Sequence, residues 1–193
     1  MVKSLVLGAL LGGIVAFAWS AVSWTMLTWH NPTMNSFTNE EAVAKVLAEN
    51  APVGGMYWLP GVPPGYDKMK GDEKKAAEKL MEDRMKTMPF VYGVVQPHAT
   101  FDMPKQMGAG LLFDILGALL ITMLVMKTGG MSYMGRVMFI VTIALAVGVI
   151  AVVPGWVWWH YGTSWTVIGM LDILIAWFLA GLVIAKVGAP RTA

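Results

Sequence analysis

Four long apolar runs constrain this chain more than any other feature of its sequence. They lie at roughly residues 4–27, 108–126, 137–153 and 165–185. A bilayer core about 30 Å thick needs about 20 residues of helix at 1.5 Å each, so each run can cross a membrane, the third only just. Hydrophobic residues make up 56% of the chain and the mean hydropathy is +0.60, which is too apolar for a water-soluble domain. The sequence therefore predicts an all-α membrane protein with four transmembrane helices.

The charges that flank these runs predict their orientation. The short flanking segments carry basic residues and no acidic ones, and the basic residues are Lys3, Lys127, Arg136, Lys186 and Arg191. By the positive-inside rule, both termini and the turn at 127–136 are cytoplasmic. Residues 31–107 and the loop at 154–164 are then periplasmic, and we expect a multi-pass protein of a bacterial-type inner (plasma) membrane.

A signal peptide is the competing interpretation of the first run. Lys3 precedes this run, and Ala16-Phe17-Ala18 resembles a small-residue cleavage site. The apolar residues nevertheless continue to Leu27, beyond the usual length of a signal-peptide core. We therefore expect an uncleaved first transmembrane helix.

Residues 31–107 differ sharply in character from the four runs. They hold 19 of the 26 charged residues, so we expect them to face water. Helices are predicted from Glu40 to about Asn50 and from about Asp72 to Met88, and short strands at 56–59 and 90–95. The second helix carries an apolar stripe of Ala77, Met81, Met85 and Met88.

These elements predict a small α+β periplasmic cap, inserted between transmembrane helices 1 and 2. The predicted domains are residues 1–30 as the first transmembrane helix, 31–107 as the cap and 108–193 as transmembrane helices 2 to 4. A core of this size is marginal alone. We therefore expect the cap to rest on the helix ends or on a partner.

The two halves of the chain follow one plan. In each half a basic residue, an apolar run and a Trp-His pair come first, and Asp-Ile-Leu follows within a second apolar run that ends near a lysine. The first half carries Trp29-His30 and Asp114-Ile115-Leu116, and the second carries Trp159-His160 and Asp172-Ile173-Leu174. This pattern predicts two parallel hairpin repeats, related by a pseudo-two-fold axis along the membrane normal.

Asp114 and Asp172 are the only charged residues inside the apolar runs. An ionisable group in hydrocarbon is costly and normally faces the protein interior, where it has a partner. Each aspartate lies about 13 residues, or about 20 Å of helix, before a lysine, which predicts a position in the outer third of the bilayer. One interpretation is structural: a hydroxyl of Thr25, Ser164 or Thr166, an indole N–H or a histidine bonds each carboxylate and fixes helix packing.

A second interpretation gives the carboxylates a chemical role. His30 and His160 stand at the outer ends of the preceding runs, so His30, His160, Asp114 and Asp172 form a candidate metal or proton site near the outer surface. Two imidazoles and two carboxylates suit a divalent transition metal such as zinc, iron or manganese, although no HxxxH or ExxH spacing supports one. A third interpretation uses the aspartates as the relay groups of a small transporter.

Composition and motifs exclude several other classes. The chain has no cysteine, which excludes disulfides, thiolate metal sites and Cys-ligated iron–sulfur clusters. A net charge of +2 gives no support for nucleic-acid binding. The sequence contains no nucleophile elbow, phosphate-binding glycine loop, HExxH or dinucleotide fingerprint. It therefore favours a non-catalytic accessory or interaction subunit, which contacts membrane lipid and another membrane or periplasmic protein, or a second copy of itself, through the cap and a tryptophan-rich outer rim.

Overall fold

The computed structural model describes residues 2–98 and 101–188 and is mostly helical. In chain order its helices and strands are α1 Val2–Thr25, α2 Glu40–Asn50, β1 Gly55–Leu59, α3 Gly71–Thr87, β2 Val91–Val95, α4 Met103–Val125, α5 Tyr133–Ala151, α6 Val153–Trp159 and α7 Thr163–Val187. They form two compact units. The described residues of 1–35 and 102–193 make the helical unit, and those of 36–101 make the α+β unit. The predicted cap boundaries thus differ from these units, because residues 31–35 and 102–107 belong to the helical unit.

Four helical segments of the described chain are long and apolar enough to cross a membrane. They are Val2–Thr25, Met103–Val125, Tyr133–Trp159 and Thr163–Val187. In the most apolar 18 residues of each, fewer than a third are buried by the rest of the chain, as expected for helices that face lipid. These four segments confirm the prediction of a multi-pass membrane protein.

The sequence predicted that the third segment ends at Pro154. In the structure it continues beyond that residue. The helix breaks only at Val152, and α6 then carries Pro154 in its first turn and continues to Trp159. Proline fits there because the first amides of a helix have no intrahelical acceptor to lose. Trp156, Trp158 and Trp159 therefore extend the helix instead of forming a loop.

Helix α1 lies between α4 and α7 and packs closely on both. Small residues make this possible. A Cβ atom added to Gly13 would lie 2.5 Å from the Cα of Ile115 in α4, and one added to Gly12 would lie 2.6 Å from the side chain of Ile184 in α7. In a membrane, such close approach of backbones is what holds helices together, since lipid supplies no hydrophobic driving force between them.

Each predicted hairpin is packed internally, α1 on α4 and α5 on α7, and the hairpins meet mainly through α1 and α7. A parallel repeat would make the contact of α4 with α5 equivalent to that of α1 with α7, yet α4 and α5 touch at few residues. The halves thus resemble each other in sequence plan but differ in their surroundings. The repeat itself stays a prediction.

The start of α5 and the end of α7 lie together. The Arg136 side chain donates from Nε to the carbonyl of Ala185 at 3.0 Å, and the Tyr133 hydroxyl donates to the carbonyl of Leu182 at 2.9 Å. The Ala185 carbonyl is in the last turn of α7, where a cation and a donor are both favourable.

The α+β unit contains the helices and strands at the predicted positions. Its two strands pair antiparallel, with Met56 opposite Val94 and Trp58 opposite Tyr92. The predicted apolar stripe of α3 is buried only at Ala77, however, and α2 buries no residue. Side chains on one side of the sheet are largely uncovered, Met56 being 55% and Val94 70% exposed. We call Met56, Trp58 and Val94 the exposed sheet face.

Candidate functional site

Asp172 is the centre of a hydrogen-bonded network in the helical unit. It is the tenth of the 25 residues of α7. Its Oδ1 accepts from the Trp19 indole Nε1 at 3.0 Å and from the Ser23 hydroxyl at 2.6 Å, and its Oδ2 lies 3.0 Å from Nε2 of His30. A carboxylate has two oxygens with several acceptor sites, so it can accept all three of these hydrogen bonds.

The contacts of Ser23 fix the proton on His30. The Ser23 hydroxyl has one hydrogen, which points to Asp172, while its oxygen accepts from the Trp29 indole at 3.0 Å. The same oxygen lies 2.9 Å from Nε2 of His30. Because the only hydroxyl hydrogen is already used, Nε2 of His30 must itself carry a hydrogen and donate. We call Trp19, Ser23, Trp29, His30 and Asp172 the His30–Asp172 network.

A short turn returns His30 to the helix that it follows. After α1 the chain forms a 3-10 helix at Thr28–Thr33, which contains Pro32. The turn leaves His30 only 5% exposed, with its ring stacked on that of Trp24 at a centroid distance of 3.9 Å. The rings of Trp29 and His30 meet edge to face, with their centroids 5.7 Å apart. The histidine is therefore held by aromatic packing as well as by its hydrogen bonds.

A pocket of about 300 Å³ lies beside the network. Among the residues that line it are the charged or polar side chains of Ser20, His30, Asp114 and Asp172. Its other lining residues are Ala16, Trp24, Trp165, Gly169, Ile173, Ala176 and Trp177. The pocket thus combines two carboxylates with three indole rings and small apolar side chains.

Asp114 differs from Asp172 in its surroundings. It is the twelfth of the 23 residues of α4, the midpoint of the helix, and its depth in the bilayer stays a prediction. Within the described chain, no side chain or backbone group hydrogen-bonds its carboxylate. Of the two aspartates, Asp114 is therefore the one whose oxygens are open to a ligand.

The pocket has more negative than positive charge. Asp114 and Asp172 are its two acids, His30 is the one basic residue that lines it, and no described lysine or arginine does. The two carboxylates outnumber the one imidazole, so ionised carboxylates give the pocket a net negative charge. Low-dielectric walls strengthen the field of such a charge.

The structure brings together three of the four residues that the sequence singled out. His30 and Asp172 bond directly, and Asp114 lines the same pocket. His160 is not among the lining residues. It ends α6 in the left-handed conformation, with φ of 54°. Within residues 2–98 and 101–188, no group of three or more His, Asp or Glu side chains could hold a metal ion, and the predicted metal site stays a prediction.

Sequence reasoning named the kinds of partner that Asp172 has, but it assigned the hydroxyl to the wrong residues. An indole and a histidine were correctly expected, but the hydroxyl is that of Ser23. The hydroxyls of Thr25 and Thr166 instead donate to carbonyls of their own helical turns, those of Ala21 and Gly162. The available signal was the spacing of Trp19 and Ser23, which places both on one face of α1.

The fold and pocket together define a multi-pass helical protein with a polar, aromatic site among its apolar helices. No family model, no curated protein and no solved structure matches this chain.

Proposed function

We propose that the protein binds a positively charged ligand in the pocket between Asp114 and Asp172, as a non-catalytic protein of a bacterial-type inner membrane. The observation that carries this proposal is the contrast between the two carboxylates. Asp172 is saturated by three donors, whereas Asp114 faces the same pocket with no hydrogen-bond partner in the described chain.

An unpaired carboxylate among apolar helices is costly, and such residues typically mark ligand or ion paths. The uncompensated charge of the pocket makes a cation the complementary ligand. The roles then divide. Asp114 contacts the ligand, and the His30–Asp172 network fixes α1 against α7 and keeps the second carboxylate in place, because its donors restrict Asp172 to one orientation.

The ligand would enter from the periplasmic side. This orientation follows from the positive-inside rule, with both termini cytoplasmic and residues 31–107 periplasmic. The packing of Arg136 on the end of α7 supports a common cytoplasmic side for these two basic helix ends. Trp24 and Trp165, at the end of α1 and the start of α7, then lie at the outer rim.

Binding should stabilise the purified protein against heat. A ligand at 100 times its Kd stabilises the folded state by about 2.7 kcal/mol. We therefore expect at least one cation, from a panel of sodium, potassium, magnesium, manganese, zinc and small ammonium salts, to raise the Tm of the protein in detergent by several degrees at constant ionic strength.

Asp114→Asn should abolish that rise in Tm. The matched control is Asp67→Asn, which removes the same charge at an exposed position of the α+β unit and should leave the rise unchanged. If no cation raises the Tm, or if the rise survives in Asp114→Asn, the proposed function is wrong.

A second candidate function, that of an accessory or interaction subunit, is favoured by a different observation. The α+β unit buries little, and its exposed sheet face presents Met56, Trp58 and Val94. Apolar patches of this kind mark contact sites for other proteins. The occupant that we propose is a periplasmic or membrane protein with an apolar surface.

Purification in mild detergent tests this second function. We expect one stoichiometric partner to co-purify with the wild type and to be lost in Val94→Lys, since a charge on the exposed sheet face is incompatible with an apolar contact. Lys79→Glu, on exposed α3, is the control for altered surface charge and should retain the partner. A lone monodisperse species would contradict the accessory role.

A further inference from the structure

The pocket that contains Asp114 lacks a fourth helical wall. Its lining residues come from α1, α4, α7 and the 3-10 turn, and no described residue of α5 is among them. Helix α4 packs closely on α1 but meets α5 and α7 at few residues. It meets α7 on the C-terminal side of Asp114, where a Cβ atom added to Gly117 would lie 3.0 Å from the ring of Trp177.

On the N-terminal side of Asp114, α4 stands away from α7. Residues 103–109 are all exposed. A Cβ atom added to Gly110 would lie 3.6 Å from the ring of Phe17 in α1 and within 4 Å of no described atom of α7. The two helices therefore diverge from Asp114 toward the start of α4, and Asp114 lies at the inner end of a cleft between α4 and α7.

The size of the pocket suits a side chain and not a helix. Its volume is about 300 Å³, whereas a single helical turn, about 10 Å across and 5.4 Å long, occupies about 400 Å³. A helix that uses this cleft must therefore lie along its open side and insert one side chain. Phe113, next to Asp114 and 68% exposed, gives such a helix an apolar surface to pack on.

The free acceptors of the pocket match a primary ammonium group. Neither Asp114 nor Ser20 has a hydrogen-bond partner in the described chain, which leaves two carboxylate oxygens and one hydroxyl oxygen. Asp172 already accepts from three donors. A lysine ammonium has three N–H donors and no acceptor, whereas calcium takes six to eight oxygen ligands. The set of three oxygens thus favours an ammonium group over such a metal ion.

We infer that the positive charge is a lysine side chain near the middle of a partner's transmembrane helix. This inference rests on the proposed function and names the source of its cation. Asp114 is eleven residues from each end of α4, about 17 Å at 1.5 Å per residue. Charged side chains inside membranes pair with one another, and a helix can place a lysine at that level. A lipid amine instead stays at the surface of a core about 30 Å thick.

The partner is a different protein and not a second copy of this chain. None of the four apolar runs contains a lysine or an arginine, so a second copy has no basic side chain to offer at the level of Asp114. The surface and the charge thus define the partner as a membrane protein with one lysine in an apolar span. Its helix supplies the wall that the cleft between α4 and α7 lacks.

A model transmembrane helix provides the test. It consists of about 20 leucine and alanine residues, with one lysine at its midpoint and a dansyl group at one end. The reference helix carries norleucine, which lacks only the ammonium group, in place of that lysine. Energy transfer from the tryptophans of the full-length protein to dansyl measures binding in mild detergent. We expect the lysine helix to bind about 5- to 30-fold more tightly than the reference, the range of polar contacts between model membrane helices.

Variants of Asp114 show whether this carboxylate is the cause. Asp114→Asn should remove the preference for the lysine helix, and Asp67→Asn, at an exposed position of the α+β unit, should retain it. Asp114→Lys should prefer a helix with glutamate at its midpoint, because the two charges are then exchanged. Thermal unfolding without a helix shows whether each variant is folded, and Asp114→Leu replaces Asp114→Asn if the latter does not fold.

Two results would overturn the inference. They are equal binding of the lysine and norleucine helices to the wild type, and a preference for lysine that survives in Asp114→Asn. If a dissolved cation raises the Tm in an Asp114-dependent way but the lysine helix is not preferred, the proposed function survives and the inference of a partner lysine fails. If no dissolved cation binds and the lysine helix is not preferred, both fail.

Discussion

Replacing Asp172 with leucine is expected to destabilise the helical unit by about 3 kcal/mol. The substitution leaves the Trp19 indole, the Ser23 hydroxyl and Nε2 of His30 without their acceptor. Leaving a buried hydrogen-bond donor without its acceptor costs about 1–3 kcal/mol. The lower figure applies to each of the three donors here because the Asp172 side chain keeps 17% of its surface exposed. Unfolding in mixed micelles with increasing SDS measures the difference.

Asp114→Leu is the matched control, because it makes the same change in the corresponding Asp-Ile-Leu segment of α4. No described group loses a hydrogen bond in this variant, and an unpaired charge is removed from among apolar helices, so its stability should equal or exceed that of the wild type. Equal losses in the two variants would show that the network does not account for the cost at Asp172.

The contributions of His30 and Asp172 to the free energy of unfolding should be strongly coupled. His30→Phe keeps a ring to stack on Trp24 but removes the donor to Asp172, and a buried acceptor left without its donor costs about 1–3 kcal/mol. In the double variant with Asp172→Leu neither partner is left unpaired. We therefore expect the double variant to be about 2 kcal/mol more stable than the sum of the two single losses predicts, within the range seen for residues in contact.

The same unfolding measurement tests this coupling as a double-mutant cycle. Tyr133→Phe paired with Asp172→Leu is the control cycle. Tyr133 bonds the carbonyl of Leu182, which lies about 15 Å along α7 from Asp172, and distant sites add within about 0.5 kcal/mol. Additive losses for His30 and Asp172 as well would mean that their contact contributes nothing to stability.

The four membrane segments and the elements of the α+β unit could be predicted because their signals are local. Apolar length is enough to identify a span, and Asn39, whose side chain accepts from the amide of Ala42, shows how one residue begins α2. Pro154 was misread because proline ends a helix in one place and begins one in another.

The network could not be predicted in the same way. The network forms only because the 3-10 turn brings His30 back against α1 and because α7 packs on α1. Neither feature can be predicted from the local sequence pattern. Asp114 and Asp172 stand in the same Asp-Ile-Leu context, yet one is saturated and the other is open, because α1 presents Trp19 and Ser23 to α7 alone. Trp19, Trp24 and Trp29 were equally ambiguous, since interfacial tryptophans are common in any membrane protein.

The position of α1 between α4 and α7 has a consequence for biosynthesis. Ser23 and Asp172 are 149 residues apart, so at about 5–20 residues per second the ribosome needs roughly 7 to 30 seconds to supply the acceptor after the donor has been made. During that interval α1 can already join α4 through Gly13, but its polar side chains wait inside the nascent protein for the last helix. A chain that stalls before α7 would expose the unpaired Trp19 and Ser23 side chains to the quality-control proteases of the cell. The last helix therefore supplies the acceptor that the first helix needs.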